Sequence, residues 1–289
     1  AWITIPNLLQ VLHEAPSSAM WSSFLYGMAY GIGGTAFGMA IRYVGYSLTY
    51  AIAVGISCVV GTLLPPVMNG TLGNTLQGNG SSFIISGILM GALGIAVCGI
   101  AGRKKEQDIE AQNNNTFSLA KGLPLCILAG VLSALYGFAL AEGTPIATIA
   151  EKYGAGDLKT NVVYIFSNTG AFVTTFLYCL YLHTKEKTFG EYFASGKTLG
   201  INFSMALITG VLWYFQFFFY GLGHVNLGKY EFSSWAIHMI LLVLFSAIAG
   251  VAMKEWKMCT DKTMKVLVLA LAILIAAVLL LTYGNYLGG

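Results

Sequence analysis

The sequence predicts an all-α, polytopic membrane bundle, and three observations carry that prediction. Only 27 of 289 residues are charged, 15 Lys plus Arg and 12 Asp plus Glu, so the charged share is 9%, whereas soluble domains carry about a quarter. Apolar residues make up 56% of the chain, and the mean hydropathy is +0.72. These apolar residues fall into eight uncharged runs of roughly 20 residues, the length a helix needs to cross a hydrocarbon core of about 30 Å. Only hydrogen bonds made within the segment satisfy a backbone there, which selects helices. A cytosolic enzyme, a disordered chain and a basic nucleic-acid binder are excluded on the same numbers.

Taken in order, the runs cover 20–41, 47–68, 82–102, 122–141, 160–182, 198–223, 232–253 and 266–285. The longest connections are the charged run from Arg103 to Lys121 and the Gly/Asn-rich stretch from Asn69 to Ser82, so no linker separates two soluble domains and 1–289 reads as one transmembrane transporter domain. Pro65-Pro66 ends or kinks its helix, and Pro124 falls in a first turn, where proline is tolerated. The piece 1–12, broken by Pro6, is too short to span and lacks the basic flank of a signal peptide. It reads as the tail of a truncated helix. The five cysteines form no Cys-x-x-Cys pair, and four lie in apolar runs, which suits small buried residues better than a disulfide framework or a metal site.

Lys and Arg in alternate connections give the orientation. One set holds Arg42, Arg103, Lys104, Lys105, Lys121, Lys185, Lys187, Lys197, Lys254, Lys257, Lys262 and Lys265, twelve in all; the other holds Lys152, Lys159 and Lys229. The positive-inside rule places the first set in the cytoplasm and the C-terminus outside. Spacing also suggests a repeat. A shift of 183 residues carries Phe37-Gly38 and Gly45 onto Tyr220-Gly221 and Gly228, and three runs onto three runs in order. The shift predicts ten helices in two five-helix units, of which 19–102 and 121–286 would hold eight. An odd number of spans per unit makes the second unit inverted, an architecture of secondary transporters.

No Asp, Glu, Lys or Arg lies inside the eight runs, and His238 is the one imidazole well inside. Ionisable groups in hydrocarbon are costly and point to function. His238 stands seven residues from Glu231, about 10 Å along a helix at 1.5 Å per residue, on one face with Trp235 and Ser234. The preceding helix offers Gln216, Tyr220 and His224 at i, i+4 and i+8, with Trp213 beside them. Gln216, Tyr220 and His238 both donate and accept hydrogen bonds, as sugar hydroxyls require, while Trp213 and Trp235 can cover an apolar sugar face. Glu231 and His238 are the candidate proton carriers and His224 a vestibule residue. The plainer reading is an interfacial belt for the Trp and Tyr residues, solvation for His224 and an exposed loop acid for Glu142. Gly27, Gly31, Gly34 and Gly38, and then Gly87, Gly91 and Gly94, have the spacing of close helix packing. Gly31-Ile32-Gly33-Gly34 is no nucleotide loop, since it lies mid-span with no preceding strand. Hydrolase, membrane-protease and haem motifs are absent, so the chain reads as no enzyme, with no cofactor beyond a coupling proton.

Leu212-Trp213-Tyr214-Phe215-Gln216-Phe217-Phe218-Phe219-Tyr220, Gly223-His224, Tyr230-Glu231, Ser234-Trp235, His238-Met239 and Lys254-Glu255-Trp256 together resemble the L-rhamnose-proton symporters of bacteria, within the drug/metabolite transporter superfamily. Arg42-Tyr43, Val60-Gly61-Thr62-Leu63 and Asn69-Gly70 are earlier echoes. The resemblance implies a ten-helix inner-membrane importer of L-rhamnose with a proton. Its partners would be a small sugar and the lipid bilayer, with no nucleic acid and no obligatory protein. The family pattern has asparagines near Gly34 and Ala36, so a related deoxy-sugar is an alternative substrate. Two other readings stay open: an uncoupled or exporting metabolite carrier of the same superfamily, and a membrane sugar sensor that moves nothing.

Overall fold

A computed structural model describes residues 1–68, 70, 72–110, 118–193, 196–227 and 233–288. Among them there is no strand, and the chain runs through α1 (Leu8–Glu14), α2 (Ser17–Val44), α3 (Tyr46–Met68), α4 (Leu72–Gln77), α5 (Ser81–Glu110), α6 (Leu119–Glu142), α7 (Thr144–Lys152), α8 (Val163–Glu186), α9 (Lys197–Val225), α10 (Ser234–Ala252) and α11 (Asp261–Gly288). Eight helical stretches of the described residues are long and apolar enough to cross a membrane, and they coincide with the eight apolar runs. The protein is a polytopic helical bundle. Helix α5 continues past residue 102 to Glu110 because its charged extension has structural work at the basic end, the end that carries Arg42, Arg103, Lys105 and Lys185.

Two tight pairs, α2 with α6 and α5 with α11, frame the bundle, and α3 lies between α5 and α6. Side-chain-free positions permit these approaches. A Cβ at Gly27 would sit 2.1 Å from the Ser167 carbonyl oxygen on α8, and one at Gly33 would sit 2.9 Å from Leu132 Cβ on α6. Gly87, Gly91 and Gly94 likewise seat Leu281, Ile240 and Leu274. Gly34 and Gly38 differ from the packing role that their spacing suggests, since a Cβ at either would meet nothing within 4 Å. They share a helix face with Gly27 and Gly31, but α8 holds α2 only as far as Ala171 and Thr174, and beyond that depth a cavity stands between the two helices.

At the basic end two carboxylates of α5 cap other helices. Glu106 Oε1 accepts the Ser47 N–H at 3.1 Å, in the first turn of α3, and Arg103 holds the other carboxylate oxygen at 3.4 Å. Gly45, at φ 80°, makes the turn into α3, and a Cβ there would lie 2.6 Å from Glu106. Asp108 Oδ2 accepts from Thr260 N at 2.9 Å and Thr263 Oγ1 at 2.7 Å, at the start of α11. Lys105 reaches Glu255 at 3.1 Å and lies 4.7 Å above the Trp256 ring. A negative group at a helix N-terminus satisfies orphan N–H donors and opposes the macrodipole. Glu106→Ala is therefore expected to cost about 1 kcal/mol, as loss of a cap does, read as a lower melting temperature of the detergent-purified protein. Glu106→Gln, which still accepts, should keep most of the stability.

Candidate functional site

The site forms where α9 and α10 lean on α2, α3 and α6. The start of α10 ties α9 down: the Ser234 hydroxyl shares hydrogen bonds with the Tyr220 hydroxyl at 2.9 Å and His224 Nδ1 at 2.7 Å. One residue on, Trp235 turns inward and is 3% exposed. Its indole lies over Gly61, where a Cβ would come within 2.5 Å of the ring, and its N–H donates to the Ser57 carbonyl at 3.1 Å. Ser57 donates onward to Ser133 at 3.3 Å. Phe217, 2% exposed, is the hub of an aromatic cluster, with ring centroids 4.5 Å from Tyr136, 5.0 Å from Trp213 and 6.4 Å from both Tyr30 and His238. The Tyr164 hydroxyl fixes the Phe217 backbone by donating to its carbonyl at 2.7 Å.

These elements enclose a central cavity of about 330 Å³, lined by Tyr30, Gly34, Tyr50, Ser133, Trp213, Gln216, Trp235 and His238 among others. A groove of about 440 Å³ between α9 and α10 adjoins it, and Gln216 and His238 line both. Both volumes fall in the range of small-molecule sites. Among the described residues, neither the Gln216 amide nor the His238 imidazole has a protein hydrogen bond. His238 is instead ringed by aromatic faces, 4.9 Å from Tyr220 and 5.8 Å from Trp235.

Of the residues that the sequence nominates, Trp213, Gln216, Trp235 and His238 thus meet at the central cavity, while Tyr220 and His224 line only the groove. The polar atoms of Tyr220 and His224 are engaged with Ser234, and that of Trp235 with Ser57, so Trp235 offers the cavity a ring face alone. Glu231 lies outside the described residues. Glu142 is exposed at the end of α6. Sequence reasoning did not select Tyr30, Tyr50 and Ser133, the contributions of α2, α3 and α6. Their signal was faint: two tyrosines indistinguishable from belt aromatics, and one hydroxyl in an apolar run. Among the described residues no group of three or more His, Cys, Asp or Glu is placed to hold a metal.

Residues 1–285 match the family model described as L-rhamnose-proton symport protein. The chain is similar to the L-rhamnose-proton symporter of Pectobacterium atrosepticum, 32% identical over 282 residues, which are 96% of this chain and 82% of that relative. It is 34% identical to the one from Mannheimia succiniciproducens over 88% of this chain and 75% of that relative. With the Yersinia pestis protein it shares 31% identity over 96% and 82% respectively. No solved structure matches the chain.

The Gly61–Trp235 seat gives the clearest packing test. Gly61→Ala puts a methyl where the indole lies, and since neither backbone can yield cheaply it is expected to cost about 1–3 kcal/mol, the range for overpacking a core. The readouts are a lowered melting temperature and a red shift of tryptophan emission as Trp235 leaves its pocket.

Proposed function

The chain belongs to the L-rhamnose-proton symport protein family, and from that premise we propose that it imports L-rhamnose or a related deoxy-sugar with a proton across the bacterial inner membrane. It is a membrane transporter and not an enzyme. The observation that carries the finer reading is the pair of unengaged polar groups, Gln216 and His238, in one hollow among spans free of formal charge. A polar group left without a partner in hydrocarbon is costly, and a sugar hydroxyl supplies what each lacks. Trp213, Trp235 and Tyr30 offer the apolar faces that suit the ring and methyl of a 6-deoxy-sugar.

In this reading the basic end faces the cytoplasm and the C-terminus the periplasm, and the two inverted five-helix units alternate around the central cavity. Gln216 binds hydroxyls in the central cavity and Tyr220 in the adjoining groove, while Glu231 and His238 carry the proton. His224, hydrogen-bonded to Ser234, lines the periplasmic vestibule.

Uptake of labelled L-rhamnose into proteoliposomes, driven by an imposed pH gradient, tests the assignment. Gln216→Ala is expected to raise the half-saturating concentration about tenfold, the equivalent of one lost hydrogen bond. The Glu231→Gln, His238→Ala double variant should lose gradient-driven accumulation while still exchanging sugar at equilibrium. Accumulation undiminished in that variant would remove the proton assignment. Uptake indifferent to the gradient would make the chain an uncoupled carrier, and binding without flux a sensor.

A further inference from the structure

We propose that the sugar moves between the central cavity and the cytoplasm through a second cavity between α2, α8 and α9, whose neck is Gly34 and whose mouth carries Arg42. This route rests on the function proposed above and adds a direction of passage and the residues that set its width.

The second cavity, of about 600 Å³, shares Tyr30, Gly34 and Trp213 with the central one. Shared walls alone do not make a passage, but a Cβ at Gly34 would meet no atom within 4 Å, so the space beside the backbone is empty where the two cavities meet. Gly38, one turn further toward the basic end, is equally open and lines the second cavity only. Gly31 and Gly33, on the same helix, are buried against α8 and α6. Open space at Gly34 and Gly38 is therefore a property of that depth and not of glycine itself.

The two halves of α9 explain why the opening lies at this end. Away from the basic end, α9 is fastened by Tyr164 to the Phe217 carbonyl, by Ser234 to Tyr220 and His224, and by Gly221 seated on the Tyr164 hydroxyl. Toward the basic end, residues 200–213 are all exposed, and α8 offers Thr175, Tyr178 and Leu182 across an empty wedge. Among the described residues the groove between α9 and α10, which runs past His224, is the other opening of the central cavity, at the opposite end. Between the two, Trp235 over Gly61 and the rings around Phe217 pack the wall. Behind Tyr50 lies a pocket of about 140 Å³, smaller than the other cavities and lined by the Lys105–Glu255 pair and Trp256. The walls of the wedge suit a polyol in transit: Thr175, Tyr178 and, at the mouth, the Arg42 guanidinium supply donors and acceptors without forming a closed binding cage.

The test compares Gly34→Leu, Gly38→Phe and Gly210→Leu in proteoliposomes; Gly210 is exposed on the unpacked half of α9, where a Cβ also meets nothing. Gly34→Leu and Gly38→Phe are each expected to slow L-rhamnose flux at least about tenfold, read as a fall in maximal rate. Gly38→Phe, which lies off the central cavity, should keep its equilibrium L-rhamnose affinity and melting temperature, and Gly210→Leu should transport like wild type. Should Gly34→Leu fail to fold, Gly38→Phe decides alone. Wild-type uptake with an equally fast Gly38→Phe variant would overturn the route and leave the function standing. Absence of gradient-driven uptake in the wild type would overturn the function and with it this route.

Discussion

Hydrocarbon offers no hydrogen-bond partners, so every polar group carried into the bilayer must find one inside the protein or bear the cost of having none. Most of this bundle obeys by local means. Thr49, Thr174, Ser204 and Thr209 turn their hydroxyls back to carbonyls of their own helices. Longer-range groups are paired with equal economy, as Tyr136 is with Asn168 at 2.6 Å and Ser23 with the Ala139 carbonyl at 2.8 Å. Thr62 Oγ1 and Asn285 Nδ2 are buried without a partner, and Gln216 and His238, which line the central cavity, have no protein hydrogen bond among the described residues. The rule that folds the spans is thus relaxed at the cavity wall, where the proposed sugar would supply the missing partners.

A second asymmetry runs along the membrane normal. At the basic end α5 acts as a clasp, capping α3 and α11 and reaching the segment after α10 through Lys105. These bonds use main-chain donors and charges in a partly aqueous zone, where screening keeps individual ion pairs weak but several acting together hold the helix ends in register. Among the described residues, α9 is held at that end by a ring contact of Phe203 with Tyr192, 6.4 Å between centroids, and far more densely at the other. Phe217, with five rings about it, one of them that of the Tyr164 that donates to its carbonyl, is the centre of the dense half.

How much of this was legible in the sequence depends on what each property needs. The eight spans followed from length and charge alone, since a bilayer imposes both without reference to the rest of the fold. Convergence of Gln216 and His238 followed from helical periodicity and one hairpin. The state of each polar atom did not, because Trp235 and His224 are neutralised by Ser57 and Ser234, and such pairings depend on how neighbouring helices are rotated and how deep they sit. Tyr30 and Ser133 were hidden for the same reason, lying about 180 and 80 residues from the α9 segment they face. The glycines of α2 show the limit most sharply. Gly31 and Gly34 have identical local signatures, yet one bears the backbone of α8 and the other borders empty space. Only the divergence of a helix 140 residues away separates them.

Coupling of sugar to proton demands that protonation change the affinity for sugar, and linkage makes the effect reciprocal: bound sugar must change the affinity for the proton by the same factor. Two sites far apart would need a conformational relay to achieve this, whereas here the proposed proton carrier is itself part of the cavity wall. A neutral imidazole at position 238 presents one donor and one acceptor, and a protonated one presents two donors. Aromatic rings stand 4.9 Å and 5.8 Å from it, and among the described residues it has no protein hydrogen bond. A sugar oxygen accepting from the second ring N–H would stabilise the protonated form further. The proton would then be held best when sugar is present and the sugar best when the proton is, which is the condition for symport. Helix movement is needed only to choose the side of the membrane on which the two are released.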